Sequence, residues 1–324
     1  MSNLFSGINA RIRGASKVGG PNRSPTTTVD RPSESHDTQS STSSAPRVSL
    51  RDSPSLSESI GMPHTLECPR PLPLWLNPTY AKHIVKGNFL TLSVPPKTVE
   101  QGEWVAHQVV EHYRNLWNFV RVVYEKEYDG SSTCNSSTCP KMSAGQNHSY
   151  TWLNKNLEPV ELPAYEYMTL MQRWISGKID DVIIFPTDPS GASFAYHPEY
   201  SNSIYLAQHG NEDWSGIRSG FPKQFAGTCQ LIFRQIFRVY AHLYWSHFID
   251  PFYHLNLEKQ LNSCFSHFIL TATTLDMLKH NELEPMQYLI DLWAADGTFP
   301  PESRAYKYAD LERGKYILSL GAAS

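Results

Sequence analysis

Residues 225–248 constrain this chain more than any other stretch. They include Q-L-I-F-R-Q-I-F-R-V-Y-A-H-L-Y-W-S-H-F, with Ile232, Ile236, Val239 and Leu243 at helical spacing. Phe233, Phe237, Tyr240 and Tyr244 widen that stripe until little of the circumference is polar. A helix that is apolar over so much of its surface belongs at the centre of a bundle. Pro251 stops it.

Other helices to surround it are legible. From near Gly102, Val105, Val109, Tyr113, Leu116, Val120 and Val123 recur three and four apart. Pro163 suits the first position of a second helix, whose apolar face is Tyr167, Leu170, Met171 and Trp174 and which Gly177 can end. A third runs from about Leu261 with Phe265, Phe268, Ala272 and Leu275 inward. A fourth is opened by Pro285 and closed by Asp296-Gly297. The stretch S-Y-T-W-L-N-K-N-L-E-P-V-E-L reads as a small hairpin turning at Asn154 to Asn156. With 40% hydrophobic residues the chain has ample material for one core. The expected fold is all-α, an antiparallel-style helical bundle with one small β-hairpin.

The rest is organised around that domain. Residues 1–60 are rich in Ser, Thr, Pro and Gly, too poor in apolar surface to offset ordering entropy, and read as a disordered tail. The folded domain is expected over residues 64–297, with an irregular insertion at about 187–220 marked by D-P-S-G, H-P-E and W-S-G-I-R-S-G. Residues 298–324 read as a loosely ordered C-terminal tail. A net charge of −3 gives no whole-chain basic excess of the kind that suits nucleic acid. No stretch approaches the ~20 apolar residues of a membrane span, and the N-terminus lacks a signal-peptide core. The expectation is a soluble protein of a reducing compartment.

Five cysteines are scattered at 68, 134, 139, 229 and 264, an odd number that does not suggest a disulfide framework. Cys134 and Cys139 lie in C-N-S-S-T-C-P, and His242 and His247 share the same five-residue separation at the end of the long helix. Both spacings fall within the range of structural zinc ligands, and two thiolates with two imidazoles favour zinc over magnesium or calcium. On a regular helix, positions five apart point about 140° from each other, so the two histidines meet one ion only if the helix end is distorted. From spacing alone two readings stand: a metal site, or a buried thiol with histidines capping aromatic surface. A four-ligand zinc would have no open position for water and would be structural.

Catalytic signatures are missing. There is no Gly-rich phosphate loop, no G-x-S-x-G and no H-E-x-x-H. His107, His112, His148 and His267 are the isolated candidates for acid–base work. An enzyme is not the expectation.

Four motifs, C-x4-C-P-x-M-S-A-G, Y-T-W, F-R-V-Y-A-H-L-Y-x-x-H-F and L-N-S-C-F-x-H-F-I, together resemble the Mob/phocein family of kinase co-activators over about residues 75–295. V-K-G-N-F and Y-T-W-L are similar to the subclass that partners NDR-type kinases in fungal morphogenesis. The resemblance implies a Mob-type helical bundle with one structural zinc on Cys134, Cys139, His242 and His247. It implies a non-catalytic adaptor that binds the basic N-terminal regulatory region of an NDR/LATS-type AGC kinase. In V-E-Q-G-E-W-V-A-H it assigns Glu100, Glu103, Trp104 and His107 to the kinase surface, with Phe185 and His267 as further contacts. It also maps a phosphopeptide pocket onto Arg234, Gln235 and Arg238, with Gln235 standing where the family has a basic residue. That pocket carries the alternative function, a phosphopeptide-binding scaffold of the phocein type that assembles a kinase or phosphatase complex around a phosphorylated upstream partner. The implied location is the cytoplasm, extending to the nucleus and to cortical sites of polarised growth.

Overall fold

The computed structural model describes residues 68–126, 130–186 and 221–322. The Ser/Thr/Pro-rich tail and the insertion at 187–220 lie outside them.

The long apolar run forms a helix over Gln224–His247 (α5), in which every residue from Gln235 to Tyr244 is buried. The all-round apolar pattern therefore marks a central helix, as expected. Around it stand Gln101–Tyr124 (α3), Ala164–Ile179 (α4) and Glu258–Thr274 (α6), and α5 packs directly on α3 and α4. The α3 stripe of Val105, Val109, Leu116, Val120 and Val123 is wholly buried. Aromatic rings fill the join with α6: Phe233 stacks on Phe268 at 5.4 Å, and Tyr240 and Tyr244 meet Phe265 at 5.1 and 5.0 Å. Each such fully buried ring contributes about 1.5–3 kcal/mol of transfer free energy.

Two short helices, Pro78–Ala81 (α1) and Phe89–Ser93 (α2), precede α3, and α2 lies on α6. The expected hairpin is present, Trp152–Leu153 (β3) pairing with Pro159–Val160 (β4). A second one, Ser143–Ala144 (β1) with His148–Ser149 (β2), lies just after the cysteine loop and packs on α5. It turns at Gly145, whose φ of 74° only glycine adopts easily.

Local differences from the sequence reading have local reasons. Pro163 is the N-cap of α4 rather than its first residue, and Gly177 does not end that helix. Asp180 does, its N–H returning to Ser176 O at 2.9 Å. Pro285 sits inside a 3-10 segment, His280–Met286, and the following helix is Gln287–Ala295 (α7). The largest correction concerns residues 298–322. Far from a loose tail, they form Arg304–Lys307 (α8) and Leu311–Ala322 (α9), and α9 packs along α7. Buried Asp291 of α7 pairs with Arg313 and accepts the N–H of Asp310 at 2.8 Å, which clamps the start of α9. Among the described residues no helix is long and apolar enough to cross a membrane.

Candidate metal centre and partner surface

The cysteine loop leaves the end of α3 and is folded by its own polar residues. Cys134 N–H bonds back to Val123 O at 3.0 Å. Asn135 Oδ1 accepts from the N–H groups of Ser137 and Thr138 at 2.8 and 3.1 Å, and Thr138 Oγ1 donates to Thr133 O at 2.7 Å. Cys139 N–H closes the turn on Asn135 O at 2.8 Å. This Asx-type turn faces both thiols to one side.

On that side lie the two histidines. Cys134, Cys139, His242 and His247 are all buried, and their Sγ and ring-nitrogen atoms lie within 4.8 Å of one another. Cys134 Sγ stands 3.8 Å from His242 Nε2, and Cys139 Sγ 3.4 Å from His247 Nε2. The helical objection is met by distortion. His247 is the last residue of α5, its backbone is at φ −130°, ψ 3°, and a π-type turn over Phe248–Tyr253 follows. That departure swings the second ring beside the first, 5.2 Å between centroids. The pair of thiols shares protons unequally. Cys139 is the acidic member, because the Cys134 thiol hydrogen-bonds to it and both imidazoles add to its stabilisation. Cys134 is raised for the same reason, reinforced by burial. Two soft, buried sulfur donors and two imidazoles converging on one point could hold a metal ion. The remaining cysteines, Cys68, Cys229 and Cys264, are free thiols outside this cluster.

At the opposite end of α3, Glu100 is the N-cap and Glu103 is exposed in the first turn. Trp104 is half-buried, its Nε1–H donating to Ser93 O at 3.1 Å and its ring 5.5 Å from exposed His107. These four share one surface. Its apolar part was not read from the sequence: Leu92 and Val94, 40% and 46% exposed, flank the Ser93 carbonyl that holds Trp104. They fall in the short helix α2 and just after it, where no periodicity signals a face. His267 and Phe185 are not exposed on this surface. His267 is buried, stacked on Phe89 at 5.7 Å and against His112 at 4.8 Å. Phe185 is buried against Phe225 at 5.1 Å. Neither ring is offered to a partner in this conformation, because apolar neighbours on other helices cover both.

The expected phosphopeptide positions are internally engaged. Arg234 forms an ion pair with Glu282. Gln235 is fully buried and accepts a hydrogen bond from Tyr167 Oη at 3.1 Å. Arg238 is 7% exposed, lies 4.7 Å over the Tyr150 ring and donates to Tyr167 Oη at 3.2 Å. The two arginines share a helix face, and in this conformation each is engaged within the chain.

Residues 81–286 match the Mob1/phocein family. Curated relatives include "Maintenance of ploidy protein mob2" of Schizosaccharomyces pombe, 33% identical over 68% of this chain and 76% of its own length. Two proteins named "CBK1 kinase activator protein MOB2" are similar. The Candida albicans one is 32% identical over 72% of this chain, and the Saccharomyces cerevisiae one 35% over 66%. The alignments span less than two thirds of those two relatives, 63% and 62% of their lengths.

Proposed function

The chain belongs to the Mob1/phocein family, and from that premise we propose that it is a non-catalytic co-activator of an NDR/LATS-type AGC protein kinase. The observation that carries this reading is its similarity to two fungal proteins named as kinase activators. The surface at the start of α3 supports it. Exposed Glu103 presents a carboxylate, and Trp104, Leu92 and Val94 present apolar area around it. A basic amphipathic helix from the kinase's N-terminal regulatory region fits such a surface: charge steers the encounter, and Trp104, already held by Ser93 O, anchors it at low entropic cost. Ordering that segment would let it support the kinase's small lobe.

The metal in this reading is zinc, held by Cys134, Cys139, His242 and His247. A tetrahedral zinc with Zn–S of ~2.3 Å and Zn–N of ~2.0–2.1 Å separates sulfur from nitrogen by about 3.6 Å. The observed 3.8 and 3.4 Å bracket that value. Once bound, the ion supplies a cross-link between the loop after α3 and the end of α5, and its binding energy adds to folding. Four protein ligands would leave it no position for substrate or water.

The test is affinity for the purified N-terminal region of such a kinase. Glu103→Lys is expected to weaken binding about tenfold or more at low salt, with an unchanged melting temperature, since Glu103 is exposed and outside the core. Wild-type affinity in that variant would overturn the assignment of the surface. The scaffold alternative makes the opposite demand, that Arg234→Ala with Arg238→Ala abolish partner capture.

A further inference from the structure

We propose that the turn Ser143–Gly145 positions the metal centre, making His242 its anchored ligand and His247 its exchangeable one. The proposal rests on reading the Cys134–Cys139–His242–His247 cluster as a metal site.

The two histidines are alike in burial and unlike in support. His242 Nδ1 lies 2.8 Å from Ser143 O. A carbonyl oxygen only accepts, so Nδ1 carries the proton, and Nε2 keeps its lone pair toward Cys134. His247 turns Nε2 toward Cys139 in the same way, but its buried Nδ1 has no hydrogen-bond partner among the described residues. It also sits where α5 gives way to the π-type turn, so neither its outer nitrogen nor a regular helical backbone fixes its ring.

Ser143 O is itself placed by Gly145. A Cβ at position 145 would stand 3.0 Å from Cε3 of Trp245, and about as close to two further atoms of that indole. Trp245 belongs to α5 and lies between the two histidines in sequence. It cannot simply retreat: its Nε1–H donates to Pro285 O at 3.0 Å, and its ring packs edge-on against Trp75 at 5.1 Å. Glycine at 145 is what lets the β1–β2 turn come down onto this indole, and that approach brings the Ser143 carbonyl within reach of His242. M-S-A-G therefore acts on the metal through a main-chain oxygen, with none of its side chains among the ligands. Outer partners of this kind typically contribute 10–100-fold in metal affinity.

The experiment uses the full chain. Metal content is measured by elemental analysis, affinity by competition with a chromophoric chelator, and ring tautomers by nitrogen-15 NMR of the histidines. Gly145→Ala is expected to lower affinity 10–100-fold and to weaken the His242 Nδ1–H signal. Adding Trp245→Leu, which makes room for the new methyl, is expected to restore part of both, the left-handed backbone at 145 still disfavouring alanine. His247→Asn should retain metal at least about tenfold more tightly than His242→Asn. If Gly145→Ala does not fold, the ring spectrum of the wild-type chain and the two ligand variants decide. Wild-type-like affinity in Gly145→Ala, metal bound through His242 Nδ1, or equal losses in the two ligand variants would each overturn the positioning role while leaving the metal site standing. A purified chain that takes up no metal would overturn both.

Discussion

His112 and His267 show how little a single residue's identity says about its work. Both are histidines that sequence offers for acid–base chemistry, and both are core. Their rings lie 4.8 Å apart, and neither nitrogen of His112 nor Nε2 of His267 has a hydrogen-bond partner among the described residues. Burial pushes His112 well below the usual 6.5, and His267 and His107 lower it further by charge repulsion. Burial brings His267 down to about 4, with its Leu92 backbone bond and Glu111 opposing. Both folded values are therefore below the unfolded one, so the unfolded chain binds more protons. The stability of the neutral pair is fully present above about 6.5 and is lost as pH falls toward 4, at up to about 1.4 kcal/mol per pH unit for each histidine. Urea midpoints measured between pH 7.5 and 5 should fall steeply in the wild-type chain and less steeply in His112→Leu. Parallel curves would contradict this account.

Two glycines in helices illustrate how an element's packing decides what a residue type means. A methyl group added at Gly177 of α4 would meet nothing within 4 Å, whereas one added at Gly314 of α9 would overlap the backbone carbonyl of Asp291. Gly177→Ala should stabilise the domain by up to about 1 kcal/mol through helix propensity. Gly314→Ala should cost roughly 1–3 kcal/mol by overpacking. In that variant hydrogen exchange should rise across 311–322 as α9 lifts from α7. Equal effects at the two sites would mean that the α7–α9 approach is not tight. Sequence reading did not foresee α9, because the clamp from Asp291 that fixes its start comes from another helix. Helices α3, α5 and α6 were legible because each carries an unbroken stripe that needs no partner to be recognised.

At the scale of the molecule, α3 separates the two candidate sites. It has 24 residues, about 36 Å end to end, with Glu100 and Trp104 at its start and the cysteine loop leaving its end. On the proposed reading, a metal held there would act on partner binding through stability and not through contact. Stripping it with a strong chelator should lower the melting temperature on the order of 10 °C. At temperatures where the apo chain stays folded, kinase affinity should remain within a few-fold. A large loss of affinity without unfolding would show the two ends to be coupled. The sequence by itself determined the all-α class and the central helix and brought out four candidate ligands, because helical periodicity and ligand spacing are properties of the chain written out in one dimension; the family came from the resemblance of its motifs. Only the tertiary structure decided that the distorted end of α5 brings His247 beside His242, that Ser143 O holds the outer nitrogen of one ring while that of the other has no partner among the described residues, that Arg234 is taken by Glu282, and that His267 and Phe185 face inward. Those outcomes depend on which atoms from distant segments compete for the same few ångströms, and no spacing along the chain records that competition.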